Sequence, residues 1–151
     1  MGAVGEDISY KRANLQELKS LLAVFGQAFG ELDTYQGAVP SNAYLDTLLK
    51  DETFIPLVAL ADGRVAGGLA GYVLRKFERE RSEIYIYDLA VSEEFRRRGI
   101  ATGLINKLRE IAREIGAWVI YVQADPPDEP AVKLYESLGT REDVLHFDII
   151  P

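Results

Sequence analysis

The stretch from Tyr85 to Glu110 constrains the chain most: a strand-like run stops abruptly, passes three arginines and a glycine, and becomes a helix. Ile84 to Val91, IYIYDLAV, is apolar and aromatic apart from Asp88, which suits a central strand buried on both faces. From Ile100 the period changes, and Ile100, Leu104, Ile105, Leu108, Ile111 and Ile115 form one helical stripe. Between the two lies Arg96-Arg97-Arg98-Gly99-Ile100-Ala101. Gly99 permits a tight turn and a close approach to a ligand, and the first N–H groups of the helix have no internal partner. Such N–H groups, a positive dipole end and guanidiniums together make an anion site that a pyrophosphate would fit. The same residues also read as a solvated basic turn ahead of an amphipathic helix. Spacing alone does not choose between the two.

The rest of the chain arranges itself around this unit. Asp7 to Arg12 predicts a first strand, and Asn14 caps a helix with Leu15, Leu18, Leu21, Leu22, Phe25 and Phe29 at helical spacing. Glu31 to Pro40 reads as a loop; Ser41 caps a short second helix with Tyr44, Leu45, Leu48 and Leu49 inward. Phe54 to Ala61 and Val65 to Leu74 flank Asp62-Gly63, a hairpin signal. Gly67, Gly68 and Gly71 favour a bulge or twist over a ligand contact. Arg75 to Ser82 is a charged, solvated connection. Gly116 ends the central helix, Ala117 to Ala124 is the next strand, and the loop Asp125 to Pro130 is stiffened by three prolines. A helix with Pro130 in its first turn runs to Leu138 and stops at Gly139. Asp143 to Ile150 then closes the sheet. The order β-α-α-β-β-β-α-β-α-β predicts a mixed α/β sheet, mostly antiparallel, in one domain over 1–151.

Composition narrows the function. The absence of cysteine removes thiolate nucleophiles, disulfides and Cys-type zinc sites. His146 is the sole histidine and cannot by itself anchor a triad or a histidine metal cluster; a structural strand position suits it better, as a core position suits Trp118. No metal is expected. The first residues, MGAVGEDISYKRA, have neither the apolar run of a signal peptide or membrane span nor a Ser or Thr for myristoylation, so a cytoplasmic location is expected. A net charge of −7 disfavours nucleic acid and anionic lipid and favours cationic partners. The basic cluster at Arg96 to Arg98 sits inside this acidic chain, a pairing that suits an anionic cofactor and a cationic substrate. The oligomeric state, monomer or homodimer, stays open.

Arg96-x-x-Gly99-x-Ala101, after a strand and opening a helix, resembles the acetyl-CoA signature of the GCN5-related N-acetyltransferases. The helix carrying Ala131-Val132-Lys133-Leu134-Tyr135-Glu136-Ser137-Leu138-Gly139 is similar to that superfamily's closing motif. More narrowly, the chain resembles the aminoglycoside 3-N-acetyltransferases of the gentamicin-modifying type I class. The matching stretches are Phe25-Gly26…Phe29-Gly30…Thr34-Tyr35, Tyr72-Val73-Leu74, Lys76-Phe77-Glu78, Ser82 to Val91, Tyr121 to Asp125 and His146-Phe147-Asp148. The chain departs from that class at Pro126-Pro127, where members carry an aromatic-glycine pair.

The resemblance implies a central sheet flanked by helices and direct acetyl transfer from acetyl-CoA to the 3-amino group of the drug. It assigns the pyrophosphate to Arg96, Arg97, Arg98 and Gly99 with the N–H groups of Ile100, Ala101 and Thr102. Backbone N–H groups around Leu89, Ala90 and Val91 would hold the pantetheine arm and meet the carbonyl oxygen. Tyr135 would protonate the leaving thiolate, since a phenol (pKa about 10) can donate to a thiolate whose acid is near ~8.5. Its apolar neighbours Leu134 and Leu138 also allow a core tyrosine. Asp88, the one carboxylate in an apolar strand, reads either as the base for the attacking amine or as a partner for a neighbouring strand's polar group. Glu83 is the substitute base, and regular alternation puts it on the opposite face from Asp88. A polycationic drug needs acidic walls, for which Glu78, Asp125, Asp128, Glu129, Glu142, Asp143 and Asp148 are candidates, with Tyr35 as part of the wall. Two other readings remain: an acetyltransferase for a polyamine, amino acid or protein amine, and a non-catalytic acyl-CoA sensor. A P-loop is disfavoured because no lysine follows a glycine-rich loop.

Overall fold

The computed structural model describes residues 7–31 and 39–151. Tyr35 therefore lies outside the described residues. In chain order the elements are β1 (Ile8–Arg12), α1 (Leu15–Phe29), α2 (Asn42–Lys50), β2 (Phe54–Ala61), β3 (Arg64–Lys76), β4 (Arg81–Val91), a single 3-10 turn (Glu93–Phe95), α3 (Ile100–Ile115), β5 (Ala117–Val122) and α4 (Glu129–Leu138). Internal packing divides the chain into two compact units, Met1–Tyr121 and Val122–Pro151.

The first unit holds a mixed sheet in the order β1-β2-β3-β4-β5. β1 to β4 are joined antiparallel in sequence order. β5 follows β4 through α3, the helical crossover that a parallel neighbour requires. At the β2–β3 hairpin both Asp62 (φ 51°) and Gly63 (φ 78°) take the left-handed region, the conformation that a two-residue turn between right-twisted strands demands. The charged connection is tighter than its composition predicts, because the β3–β4 ladder extends to Lys76 and Arg81.

Helices cover both faces. Leu18, Leu21 and Phe25 of α1 and Leu45 of α2 pack with Phe54, Val58, Ala70 and Ala90. On the other face α3 buries Ile100, Leu104 and Leu108, and Leu57, Leu69, Ile84 and Ile86 of the sheet are buried as well. Tyr44, expected inward, is 59% exposed. Gly68 lies under α1: a Cβ there would stand 2.5 Å from the Leu57 carbonyl oxygen and 2.6 Å from Leu21 Cδ1. Gly67 faces the β4 backbone in the same way, 2.7 Å from the Ala90 oxygen. These glycines serve close packing of backbone and helix.

β4 departs from regular alternation. Gly71 pairs with Ile86, but the next residue of β3, Ala70, pairs with Asp88, so Tyr87 is an extra residue. The strand is also not buried on both faces, since Tyr87 is 67% exposed.

The second unit contains α4 and an extended stretch after it. Gly139 ends α4, as the sequence predicts; Asp128, expected on the substrate wall, caps it by accepting from the Ala131 N–H at 3.3 Å. The closing strand over 143–150 does not form: those residues join no ladder and are all exposed. Side-chain pattern makes a segment strand-competent, but only a partner's backbone makes it a strand. His146 accordingly sits on no strand; its Nε2 lies 2.9 Å from Asp148 Oδ1.

The close packing at Gly68 predicts that Gly68→Ala lowers stability by about 1–3 kcal/mol. Gly71→Ala places its Cβ at an ordinary 3.5 Å from the Ile55 carbonyl oxygen and from Ile84 Cγ2. That variant should stay within about 0.5 kcal/mol of the parent. Urea denaturation of the two variants beside the parent checks the contrast.

Candidate active site

The extra residue in β4 decides which side chains share a face. Glu83 pairs with Leu74 and Asp88 with Ala70, and residues four apart on β3 point the same way. Glu83 and Asp88 therefore lie on one face, not on opposite faces as alternation predicts, separated by about 13 Å along the strand. That is the face α1 and α2 partly cover. Without the bulge Asp88 would follow Ile84 and Ile86 into the apolar layer under α3, where a carboxylate costs several kcal/mol, roughly.

Around the half-buried Asp88 stands a band of tyrosines that sequence reading did not single out. The Tyr85 and Tyr87 rings meet edge-on with centroids 5.8 Å apart, Tyr72 meets Tyr87 at 6.3 Å, and Tyr121 of β5 meets Tyr85 at 4.8 Å. Phe54 extends the band beside Tyr72 at 5.4 Å. Burial, first, and then the charge of Asp88 push the Tyr72 phenol up; burial, with smaller effects from Tyr87, Tyr121 and Asp88, does the same at Tyr85. Both phenols stay protonated and able to donate. The signal for this band was present as Tyr72, Tyr85, Tyr87 and Tyr121 on three neighbouring strands, with Tyr85 and Tyr87 two residues apart.

The entry to α3 is the second feature. Asn14 caps α1, Ser41 caps α2 and Asp128 caps α4 with a side chain, whereas α3 starts from Gly99 with no side-chain cap. Gly99 has φ 73° and Arg97 has φ 64°, so left-handed residues alternate through the turn. Alternating hands of this kind turn successive N–H groups toward one side, an anion-binding concavity. Arg96 to Gly99 are exposed. The three guanidiniums differ in their surroundings: Arg96 Nε donates to the Val91 carbonyl at 3.2 Å, tying the turn to the end of β4. Arg98 lies 5.5 Å from the centroid of the buried Phe95 ring, and Arg64, held by Glu94 at 2.8 Å, lies 5.0 Å from the same centroid. Gly103, one turn into α3, carries no side chain because the Tyr10 ring fills the place of its Cβ. An uncapped, positively flanked helix start of this shape fits a pyrophosphate.

Two matches decide the family. The model described as "Acetyltransferase (GNAT) family" matches residues 18–140. A crystal structure of an aminoglycoside acetyltransferase from an uncultured soil metagenomic sample is 53% identical, with a TM-score of 0.93 over 96% of this chain and 99% of that one. The chain belongs to the GNAT acetyltransferase family. It is an acetyl-CoA-dependent N-acetyltransferase. A second soil-metagenome aminoglycoside acetyltransferase, solved in complex with sisomicin, is 30% identical with a TM-score of 0.88, over 95% of this chain and 96% of that one. The N-alpha-acetyltransferase of Saccharolobus solfataricus is 25% identical over 149 residues, 91% of this chain and 83% of that protein.

Four of the other acidic candidates of this GNAT chain, Glu78, Asp128, Asp143 and Asp148, have local partners. Glu78 is held below the usual carboxylate range by its own backbone N–H and by Lys76, 3.3 Å away. In the second unit Asp128 is spent on capping α4, Asp143 pairs with Arg141 at 2.9 Å, and Asp148 pairs with His146. Asp125, Glu129 and Glu142 are exposed. Tyr135 is partly buried, and burial, then the nearby Asp128, pushes its phenol up to about 12. Trp118, expected in the core, is 64% exposed, with the Arg81 guanidinium 3.8 Å from its ring centroid. Among the described residues no cluster of histidine and carboxylate side chains could hold a metal, and no helix is long and apolar enough to cross a membrane.

The turn before α3 yields a contrast in stability. An added Cβ at Gly99 meets nothing within 4 Å, so Gly99→Ala is penalised by backbone hand alone. It should lose about 1 kcal/mol, while Arg97→Gly loses nothing because glycine accepts that hand. Chemical denaturation without ligand separates the two.

Proposed function

We propose that this enzyme acetylates aminoglycosides, at the 3-amino group of the deoxystreptamine ring. The observation that carries the reading is the carboxylate of Asp88 set into a face of tyrosine rings. Sugar rings stack on tyrosines, ammonium groups are drawn to their faces, and a carboxylate accepts from the amine that reacts. The 53% identity to a solved aminoglycoside acetyltransferase supports the same substrate class.

The thioester of acetyl-CoA supplies the acyl group. In the proposed reaction the turn at Arg96 to Gly99 and the N–H groups of Ile100, Ala101 and Thr102 bind the diphosphate. N–H groups at Leu89 to Val91 donate to the carbonyl oxygen as charge develops there. Asp88, directly or through water, takes one proton of the ammonium group; the free amine then attacks, and a C–N bond forms as the C–S bond breaks. Tyr135 gives its proton to the sulfur. The nitrogen's second proton leaves to solvent, from which the Tyr135 phenolate is reprotonated. Glu83, on the same face, is the substitute base and otherwise a second anionic contact for a substrate with several ammonium groups. The exposed Asp125, Glu129 and Glu142 would add acidic wall.

Incubation with acetyl-CoA and a panel including sisomicin and gentamicin, following thiol release and locating the new amide by NMR, tests the reading. Turnover with acetylation at the 3-amino group is expected. The match to an N-alpha-acetyltransferase favours one rival, a peptide amine as acceptor. Turnover of peptide N-termini with none of the drugs would establish that rival instead.

The two proposed proton carriers differ in their pH signatures. Asp88→Asn should lower kcat by about 100-fold, and Tyr135→Phe by at least about tenfold, with little change in acetyl-CoA affinity. The Tyr135 phenol, raised from 10.0 to about 12, contributes stability that is fully present below pH 10 and is lost as pH rises toward 12. Tyr135→Phe should therefore flatten the alkaline loss of stability in that window, read by thermal unfolding at a series of pH values.

A further inference from the structure

The face that carries Asp88 has a floor of sheet residues, and one aromatic residue of the helix layer stands beside it. Tyr44, in the first turn of α2, is 59% exposed although it lies at helical spacing with apolar residues. Its neighbours fix its backbone. The Tyr44 N–H donates to the capping Ser41 hydroxyl at 3.1 Å, and Lys19 of α1 donates to the Asn42 side chain at 3.0 Å. Leu45, the next residue, is buried in the core with Phe54. The Phe54 ring lies 5.4 Å from that of Tyr72, and Tyr72 meets Tyr87 at 6.3 Å. The path from α2 to the floor is therefore short. The Tyr72 phenol, raised mainly by burial, is raised further by Asp88, then Tyr44, then Tyr87, so these three groups lie within electrostatic reach of one hydroxyl. Tyr44 thus adds little to the core, while its fixed turn presents a rigid, amphipathic ring at low entropic cost.

We infer that Tyr44 is a specificity-determining residue: it walls one side of the tyrosine floor, and an amino-sugar ring packs against it while an ammonium group of that ring lies at Asp88. This role rests on the aminoglycoside reading proposed above and narrows it to amines borne on rigid rings. Tyr72, Tyr85 and Tyr87 come from the sheet, whereas Tyr44 comes from the helix layer that covers this face, so floor and wall bound a corner. The C–H face of a sugar ring is apolar and its rim is polar, which suits a side chain with an apolar ring and a hydroxyl tip. Ammonium groups on the same sugar are drawn to the faces of the aromatic rings. A flexible linear amine must give up rotational freedom to hold floor and wall together. A rigid ring has already given it up, so the corner selects rings.

Steady-state kinetics with sisomicin and acetyl-CoA test the assignment. Tyr44→Ala should raise KM for sisomicin about tenfold and leave kcat and the KM for acetyl-CoA within about twofold, the signature of binding lost equally from ground and transition states. Tyr44→Phe, which keeps the ring, should stay within about threefold of the parent. An unchanged KM in Tyr44→Ala, a loss confined to kcat, or equal losses in the two variants would overturn the inference. Charge supplies a readout that a merely structural role would not move. Tyr44→Lys should raise KM for this polycation at least about tenfold above that of Tyr44→Glu, and added salt should narrow the gap. Equal KM values in the Lys and Glu variants also overturn the inference. A parent enzyme that acetylates no aminoglycoside removes the substrate reading and this role with it. A parent that acetylates sisomicin, with Tyr44→Ala at the parental KM, removes this role alone.

Discussion

The single residue that β4 gains over β3 governs where charge can sit in this sheet. Up to Ile86 the strand alternates normally, sending Ile84 and Ile86 to the layer under α3. One unmatched residue later the parity has changed, so Asp88 comes to the face that α1 and α2 cover, and Leu89 takes the place across from Leu69. A carboxylate in the α3 layer would have to be neutralised or paired at a cost of several kcal/mol, roughly. The bulge removes that conflict without removing the carboxylate. It also bends the strand locally, at the residue whose ring meets Tyr72 and Tyr85. Core and proposed site are thus two results of one register change.

The turn into α3 depends on that strand in its own way. Its anion-binding shape needs a left-handed Arg97, which costs on the order of 1–3 kcal/mol and persists only if neighbours fix it. Arg96 supplies one fixture by bonding the Val91 carbonyl, and Phe95 supplies another by burying its ring close to two guanidiniums. Of the three arginines that sequence reading assigned to pyrophosphate, Arg96 therefore already has a structural duty. Gly103 completes the arrangement by letting Tyr10 seat α3 against β1.

What the sequence made legible follows from how local each signal is. The caps at Asn14 and Ser41, the Asp62-Gly63 turn and the Gly99 helix start are each set within a few residues, and all are where composition places them. The errors are non-local. Regular alternation over 83–88 failed because a bulge is defined by the opposing strand, which no single segment reveals. Trp118 is apolar enough for a core, but it stands on the edge strand. Asp143 to Ile150 has every intrinsic mark of a strand and no ladder, since pairing belongs to two segments at once. Tyr44 sits at helical spacing with Leu45 and Leu48 and still faces outward. Periodicity locates a stripe to within one residue, and one residue is the difference between core and surface.

The distribution of charge ties the two proposed ligand sites together. A net charge of −7 would, uniformly spread, oppose any polyphosphate and attract any polycation. The chain escapes the first consequence by concentrating Arg96, Arg97 and Arg98 at a helix start whose dipole adds to them. In the proposed reading it exploits the second through Asp88 and Glu83, on one face and about 13 Å apart. Spacing of that order exceeds the Debye length of about 8 Å at physiological ionic strength. The two carboxylates would therefore attract separate ammonium groups of one extended substrate more than they repel each other. Between them the raised phenols of Tyr72 and Tyr85 remain neutral, so the surface there offers hydroxyl donors and ring faces and no added negative charge. A monoamine could use only one of these anionic points. A rigid polyamine sugar could use both while presenting a single amine to Asp88, and that geometric demand is why the proposed substrate class is narrower than amines in general.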